Sequence, residues 1–538
     1  MPAGEISHIE VIVLVLLFLV CTLALLAKRL QVAYPIVLVI GGLLLSFIPR
    51  APRVLLEPNV VFLIILPPLV FSAAFHTSWR DFRRNLVSIL MLAFGLVGFT
   101  VFGVAATTRW MLPGFDWRTG LVLGSVVAAT DAIAATATAK RVGLPRRIVD
   151  LLEAESLVND GSGLVALKFT LAMVISGVTP SFFQGAGVLT YLVFAALAIG
   201  LGIAVVIRAV LSRINEAPIE ITIGIITPYI AYLAAESAGC SGVLATLACG
   251  LYLGRRSSDF YSLHARMEAS SVWRTIDFGL NGVVFLALGL QLPFVLSELK
   301  GTSILTLGID GALFSGVVIA LRMLWVFPGA WLSSRISCAI GRRAEPLSPR
   351  LVFLVGWAGM RGVLALAAAM SLPLALQNGS AFPQRSLIIF LSFCAIFATL
   401  VVQGLSLPAL IRRLGFSTMP GHEEEDLARR EMTSAALDSL NRLRDQSGRE
   451  KAEIFDQVER YYRRRLSLLE RAADRSDAPQ IDHESLARQL RSVERAIAVK
   501  LRDENKIHDE VLRALEHELD LLDARFAASD TDGRASPQ

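Results

Sequence analysis

Asp131 follows Thr130 inside 126–139, a run made almost wholly of Ala, Val, Ile and Thr. An ionisable group costs several kcal/mol where such a run lies in hydrocarbon, and it then marks a functional path. Small neighbours let helices approach closely, and Thr supports local unwinding of the backbone. Further along, the chain reads Leu151-Leu-Glu-Ala-Glu-Ser-Leu-Val-Asn-Asp-Gly-Ser-Gly163. Helical spacing sets Ser156 and Asp160 one turn apart, and likewise Glu155 and Asn159. Carboxylate, amide and hydroxyl oxygens in one row suit a hard monovalent cation. Glu153 falls at the end of the run and is left out of the set, and Lys168 reads as a snorkelling or locally paired residue. Two arginines lie deep in late apolar runs: Arg322 in 317–327 and Arg361 in Trp357-Ala-Gly-Met-Arg-Gly-Val363. A buried guanidinium stays charged and calls for a carboxylate, for which these acids are the natural partners. Arg361, with Gly359 and Gly362 on either side, suits a helix interrupted at mid-membrane.

The elements that must position these groups are membrane spans. The 538-residue chain is 54% hydrophobic and 18% charged, where a soluble protein of this length carries about a quarter charged residues. A span needs about 20 apolar residues. Thirteen stretches qualify: 9–27, 34–49, 58–75, 85–108, 119–139, 149–175, 186–211, 219–237, 240–254, 273–292, 303–333, 351–372 and 386–411. Lys and Arg in short loops concentrate on the cytoplasmic side. Twenty follow odd-numbered spans, from Lys28 and Arg29 to Arg412 and Arg413, and only six follow even-numbered ones. A miscounted span would scramble that alternation from its position onward. The expectation is an all-α protein of about thirteen spans, N-terminus outside and C-terminus in the cytoplasm. The first run lacks a basic leader segment and reads as a retained span.

Composition divides the chain into a membrane domain, 1–414, and a tail, 415–538. The first holds 30 Lys/Arg and 19 Asp/Glu; the second holds 21 and 27, so 48 of its 124 residues are charged. Helical spacing of apolar residues among those charges, over 423–445, 449–474 and 483–527, predicts a cytosolic helical tail, regulatory or merely solubilising. The net charge of +5 averages two unlike parts and predicts no nucleic-acid partner. The five cysteines form no C-x-x-C pair and read as small packing residues. Residues 1–414 hold only three histidines, all at span edges or in loops, which argues against imidazole metal sites, haem and a Ser–His dyad. No phosphate-cradling glycine loop is present, so an ATP-driven pump does not fit. No cofactor and no enzyme activity are expected.

Ala129-Thr-Asp-Ala132, Leu152-Glu-Ala-Glu-Ser-Leu-Val-Asn-Asp-Gly161 and Trp357-Ala-Gly-Met-Arg-Gly-Val363 resemble three signatures of the Na⁺/H⁺ antiporter and exchanger family, in its electroneutral branch. Leu66-Pro-Pro-Leu-Val-Phe-Ser-Ala-Ala-Phe75, Ser241-Gly-Val-Leu-Ala245 and 281–291 add weaker matches, and the resemblance runs over about 10–414. It implies inverted repeats, with the fifth and twelfth spans interrupted and crossing, and a homodimer. It puts the shared cation and proton group at Asp160, with Na⁺ held by Asp160, Asp131, Thr130 and Ser156 and assisted by Asn159. Asn159 replaces the first Asp of the electrogenic branch, implying one cation per proton. Glu155 and Arg322 correspond to a structural ion pair, and Arg361 to support of the helix crossing. Two departures, Ser72 where many members have Glu and Ser162-Gly163 where Thr-Ala is common, fall near the expected ion path and leave Na⁺, K⁺ and Li⁺ open as cargo.

Burial disfavours the charge of a carboxylate, so proton and cation compete for one group and exchange becomes obligatory. Both loaded forms carry equal charge, which makes the cycle electroneutral. The expected function is Na⁺/H⁺ exchange across the plasma membrane, with lipid, monovalent cations and a second copy as partners. The alternatives are a K⁺/H⁺ exchanger, an organic-anion carrier, and a cation channel or receptor signalling through the tail.

Overall fold

The computed structural model describes residues 3–48, 57–142, 144, 146–177, 181–299, 303–341, 348–376, 380–416 and 433–442, with scattered positions from 456 to 497. Its first compact unit, Met1–Met419, is helical. In chain order the helices are α1 (Ala3–Leu30), α2 (Tyr34–Ser46), α3 (Pro58–His76), α4 (Trp79–Arg84), α5 (Leu86–Met111), α6 (Trp117–Ala128), α7 (Ala132–Val142), α8 (Arg146–Ser176) and α9 (Phe182–Leu211). Then follow α10 (Ala217–Ser237), α11 (Gly242–Phe260), α12 (Leu263–Leu290), α13 (Leu292–Ser297), α14 (Ile304–Ala339), α15 (Pro349–Trp357), α16 (Val363–Met370) and α17 (Arg385–Arg413). Each of the thirteen apolar stretches falls on one helix or one pair. Ten of the resulting helical runs are long and apolar enough to cross a membrane; the 13-residue α2, α11 and the pair α15–α16 correspond to the other three stretches.

Burial sorts these elements. The run through α6 and α7 is the most enclosed of the ten, while α1 and α9 are the most exposed. On α9, Phe183, Tyr191, Phe194 and Val206 show apolar or aromatic surface outward, as expected of a helix facing lipid or another apolar surface. Close approach elsewhere depends on small residues. A Cβ on Gly42 of α2 would lie 2.3 Å from the Leu286 carbonyl oxygen of α12, and one on Gly289 would lie 2.3 Å from that of Val39.

Three long helices carry a π turn: Val61–Ile65 in α3, Met91–Leu96 in α5 and Thr399–Gln403 in α17. A π turn shifts the hydrogen-bond register and leaves carbonyls open to other donors. In α3, Tyr229 Oη donates to the Ile64 carbonyl at 3.0 Å. In α5, Trp325 Nε1 donates to the Met91 carbonyl at 3.2 Å, and Ser162 Oγ to that of Ala93 at 2.6 Å.

The second compact unit is Pro420–Gln538. Within it, 433–442 is helical, and Arg463 pairs with Glu459 one turn away at 2.5 Å. The rest of the helices expected over 423–445, 449–474 and 483–527 lies largely outside the described residues.

Candidate functional site

Two helices break at the same place. Between α6 and α7 the chain is non-helical at Ala129–Asp131, and between α15 and α16 it is irregular over Ala358–Gly362. The breaks touch directly: the Asp131 amide donates to the Met360 carbonyl at 2.8 Å. Broken helices leave unsatisfied carbonyls at their C-terminal ends and amides at their N-terminal ends, with matching partial charges. Three of the four such ends here meet a side chain suited to them; the amide end of α16 has no side-chain cap.

The carbonyl end of α6 meets Arg361, whose Nη1 donates to Ala128 at 2.6 Å and to Ala129 at 3.3 Å. The carbonyl end of α15 meets Arg322, which donates from Nε to Gly356 at 3.0 Å and from Nη2 to Val355 at 3.1 Å. Arg322 also makes a two-pronged pair with Glu155, at 2.7 and 3.0 Å, and both side chains are 2% exposed. At the amide end of α7, Asp131 Oδ1 accepts from the Ile133 amide at 2.7 Å. The break at 358–362 is pinned further by the Thr399 hydroxyl of the α17 π turn, which accepts from the Arg361 amide at 3.0 Å.

Glycine is required at two of these contacts. A Cβ on Gly359 would lie 1.8 Å from Cζ and Nε of Arg322, and one on Gly362 would lie 2.5 Å from Cβ and 2.6 Å from Oδ2 of Asp131. The two residues flanking Arg361 therefore make room for the other two charged groups of the crossing.

Helix α8 supplies the facing row. Ser156 Oγ donates to the Thr130 carbonyl at 2.5 Å, and Asn159 Nδ2 donates to Thr130 Oγ1 at 2.9 Å. Both anchor the unwound segment. Asp160, one turn beyond Ser156, hydrogen-bonds to no described residue, and it lines a cavity of about 440 Å³ together with Asp131, Thr130 and Ser156. The cavity also reaches Tyr34, Ser72, His76, Glu153, Arg274, Asp277 and Asn281. It has room for many waters of ~30 Å³ each, and so for a hydrated cation.

Of the five residues expected to hold the ion, four line this space. Asn159 does not: it is fully buried behind Thr130, and its Oδ1 has no hydrogen-bond partner. Arg361 also differs from expectation. Both arginines were expected to need carboxylates, but Arg361 is met by backbone carbonyls instead, because a helix C-terminus offers partial negative charge of its own. Ser162 lies away from the cavity, bonded to Ala93 of α5, so of the two departures only Ser72 borders the cavity. Lys168 pairs with Glu236 at 2.8 Å and with the Cys240 carbonyl at 3.0 Å. Asp277 and Asn281 were not singled out from sequence, although an acid four residues before an amide within the apolar run 273–292 meets the criterion that found Asp131.

A multi-pass helical bundle with two carboxylates at a crossing of interrupted helices defines a secondary transporter for small cations. Residues 14–413 match the family model of the transmembrane sodium/hydrogen exchanger, and the chain belongs to that family. It is 32% identical over 533 residues to an uncharacterized Na(+)/H(+) exchanger of Mycobacterium tuberculosis, covering 96% of each chain. It is 33% identical over 389 residues to the sodium, potassium, lithium and rubidium/H(+) antiporter of Bacillus subtilis, covering 70% of this chain and 57% of that one. Its fold is similar to that of the sodium proton antiporter MjNhaP1 from Methanocaldococcus jannaschii, with a TM-score of 0.60 at 19% identity, over 78% of this chain and all of that one.

Proposed function

We propose that the protein exchanges Na⁺ for H⁺ by competition at Asp160, one cation for one proton. The observation that carries this reading is the Asp160 carboxylate, open to the cavity and hydrogen-bonded to no described residue, one turn from the Ser156 hydroxyl that anchors the broken helix. A bare carboxylate there needs either a proton or a cation, since an uncompensated charge in low dielectric is costly. Asp131 offers Oδ2 from the opposite side while Oδ1 holds the first turn of α7. Thr130 and Ser156 add neutral oxygens that can replace part of the hydration shell.

Electroneutrality follows from what does not titrate. Asn159 is neutral, and Arg322 is paired with Glu155, so neither joins Asp160 in trading the cargo. The loaded states then differ by the identity of the cargo rather than by net charge. The cavity is bordered by His76, Glu153 and Arg274, near the loops that the basic-residue count assigns to the cytoplasm. This supports an inward-facing state, in a plasma membrane, with the C-terminus inside. The exposed apolar faces of α1 and α9 suit lipid and a second copy of the chain. Residues 1–414 would do the transport, and the tail would regulate or stabilise it.

A second reading, K⁺/H⁺ exchange at the same site, is favoured by the Bacillus subtilis relative, whose name includes potassium, and by Ser72, a neutral group on the cavity wall. Purified protein in vesicles loaded with a pH-sensitive dye, given Na⁺, Li⁺ and K⁺ in turn, separates the two. Proton movement with Na⁺ at lower concentration than with K⁺ supports the first. The reverse order supports the second, and no proton movement with any cation refutes both.

A further inference from the structure

The cavity contains a third carboxylate that the exchange at Asp160 leaves unused. Asp277 sits on α12, and its Oδ2 accepts a hydrogen bond of 2.6 Å from Ser72 Oγ on α3. Its other oxygen, Oδ1, is buried and has no hydrogen-bond partner. An unsatisfied carboxylate oxygen away from bulk water is costly, and each instance in a folded protein calls for an explanation. One turn further along α12, Asn281 lines the same cavity, is only 7% exposed, and hydrogen-bonds to no described residue. Asp277 and Asn281 therefore present an anionic oxygen and an amide at i and i+4 on one helix face, with Tyr34 lining the same space. His76, Arg274 and Glu153 are the other charged or titratable groups that border the cavity apart from Asp131 and Asp160.

Ser72 also explains why the group is tethered rather than free. Its hydroxyl holds Asp277, and its carbonyl is bonded to His76 Nδ1 at 2.8 Å. One short link thus fixes the carboxylate, the wall of α3 and the imidazole relative to each other. We propose that Asp277, with Asn281, is a second monovalent-cation site in the cavity, a relay that holds the partly hydrated ion between the mouth and the Asp131–Asp160 crossing. This rests on the exchange assigned to Asp160 and adds a site to it. The bland alternative is that Ser72 and Asp277 merely tie α3 to α12.

The two roles separate in reconstituted vesicles. A relay should set apparent affinity and not the chemistry of exchange. Asp277→Asn should therefore raise the half-saturating Na⁺ concentration about five-fold or more, with the maximal rate held within about two-fold. Asp277→Glu, which keeps the charge, should recover at least half of that shift. Ser72→Ala, which removes the tether and leaves the carboxylate, should shift half-saturation clearly less than Asp277→Asn. If Asp277→Asn gives no monodisperse protein, Asp277→Ser, whose hydroxyl can still bond Ser72, carries the same expectation. Unchanged half-saturation in either charge-removing variant, or equal shifts from Ser72→Ala and Asp277→Asn, would reduce the pair to a tether. In both cases wild-type exchange is intact, so only this site falls. A wild-type protein that moves no protons with Na⁺, Li⁺ or K⁺ would overturn the exchange reading and this one with it.

Discussion

Removing the Arg322 side chain should damage the fold before it damages the ion path. Glu155 is 1% exposed and meets Arg322 through two hydrogen bonds, at 2.7 and 3.0 Å. In Arg322→Ala that carboxylate is left buried without its counter-charge, a change that typically costs about 3–5 kcal/mol. The same substitution strips the α15 carbonyls of Val355 and Gly356 of their donors, each bond to a charged group being worth about 1.5–3 kcal/mol. Glu155→Gln should cost less, because the guanidinium keeps both carbonyls and gains a neutral amide oxygen. The order of stability is then parent, Glu155→Gln, Arg322→Ala, and the double variant should be no worse than Arg322→Ala alone. Thermal unfolding in detergent, followed by the fraction remaining monodisperse, reads this order directly. If Arg322→Ala unfolded at the parent temperature yet failed to transport, the pair would not be structural, and Arg322 would have to act on the ion or proton itself.

Gly362→Ala should place a methyl 2.5 Å from the Asp131 Cβ and push that carboxylate out of the crossing. Exchange should fall by about ten-fold or more, equivalent to about 1.4 kcal/mol, in protein that still elutes as a single folded species. Exchange should also ignore an imposed membrane potential, set with K⁺ and valinomycin where K⁺ is not a substrate. One net charge per cycle would instead be worth about 2.3 kcal/mol per 100 mV, roughly fifty-fold in the gradient it sustains. A clear acceleration by the potential would show a second proton, carried by Asp131 or Glu155. Ser156→Ala frees the Thr130 carbonyl and removes one hydroxyl from the cavity wall; it should weaken apparent Na⁺ affinity more than maximal rate, as measured by Na⁺ titration of dye-loaded vesicles.

Charge in apolar runs made most of the site legible. Asp131, Asp160, Arg322 and Arg361 stand out because hydrocarbon tolerates ions poorly, and i, i+4 spacing placed Ser156 with Asp160. Apolar length is enough to place the membrane-spanning helices, since lipid demands long apolar segments, and ten of the described helical runs are long and apolar enough to cross. The family resemblance pairs Arg322 with Glu155, as the structure does, but sequence does not show which partner Arg361 takes. Backbone carbonyls are present at every position, so only the actual break in α6–α7 shows that Ala128 and Ala129 are free to accept from Arg361. The same limit hid the π turns, whose open carbonyls draw Ser162 towards α5 and away from the cavity. The resemblance implies that Asn159 assists the ion, but helical rotation from Asp160 turns it to the buried side, where it fixes Thr130.

The most direct test is Na⁺-driven proton flux by Asp160→Asn, purified and reconstituted beside the parent. Asparagine keeps the shape of the side chain, so the protein should fold and elute as the parent does. With Asp160 no longer able to trade a proton for a cation, flux should fall to that of empty vesicles at every pH tried. Retained Na⁺-dependent proton flux in the folded variant would contradict the assignment of Asp160 as the shared site and move that role to Asp131.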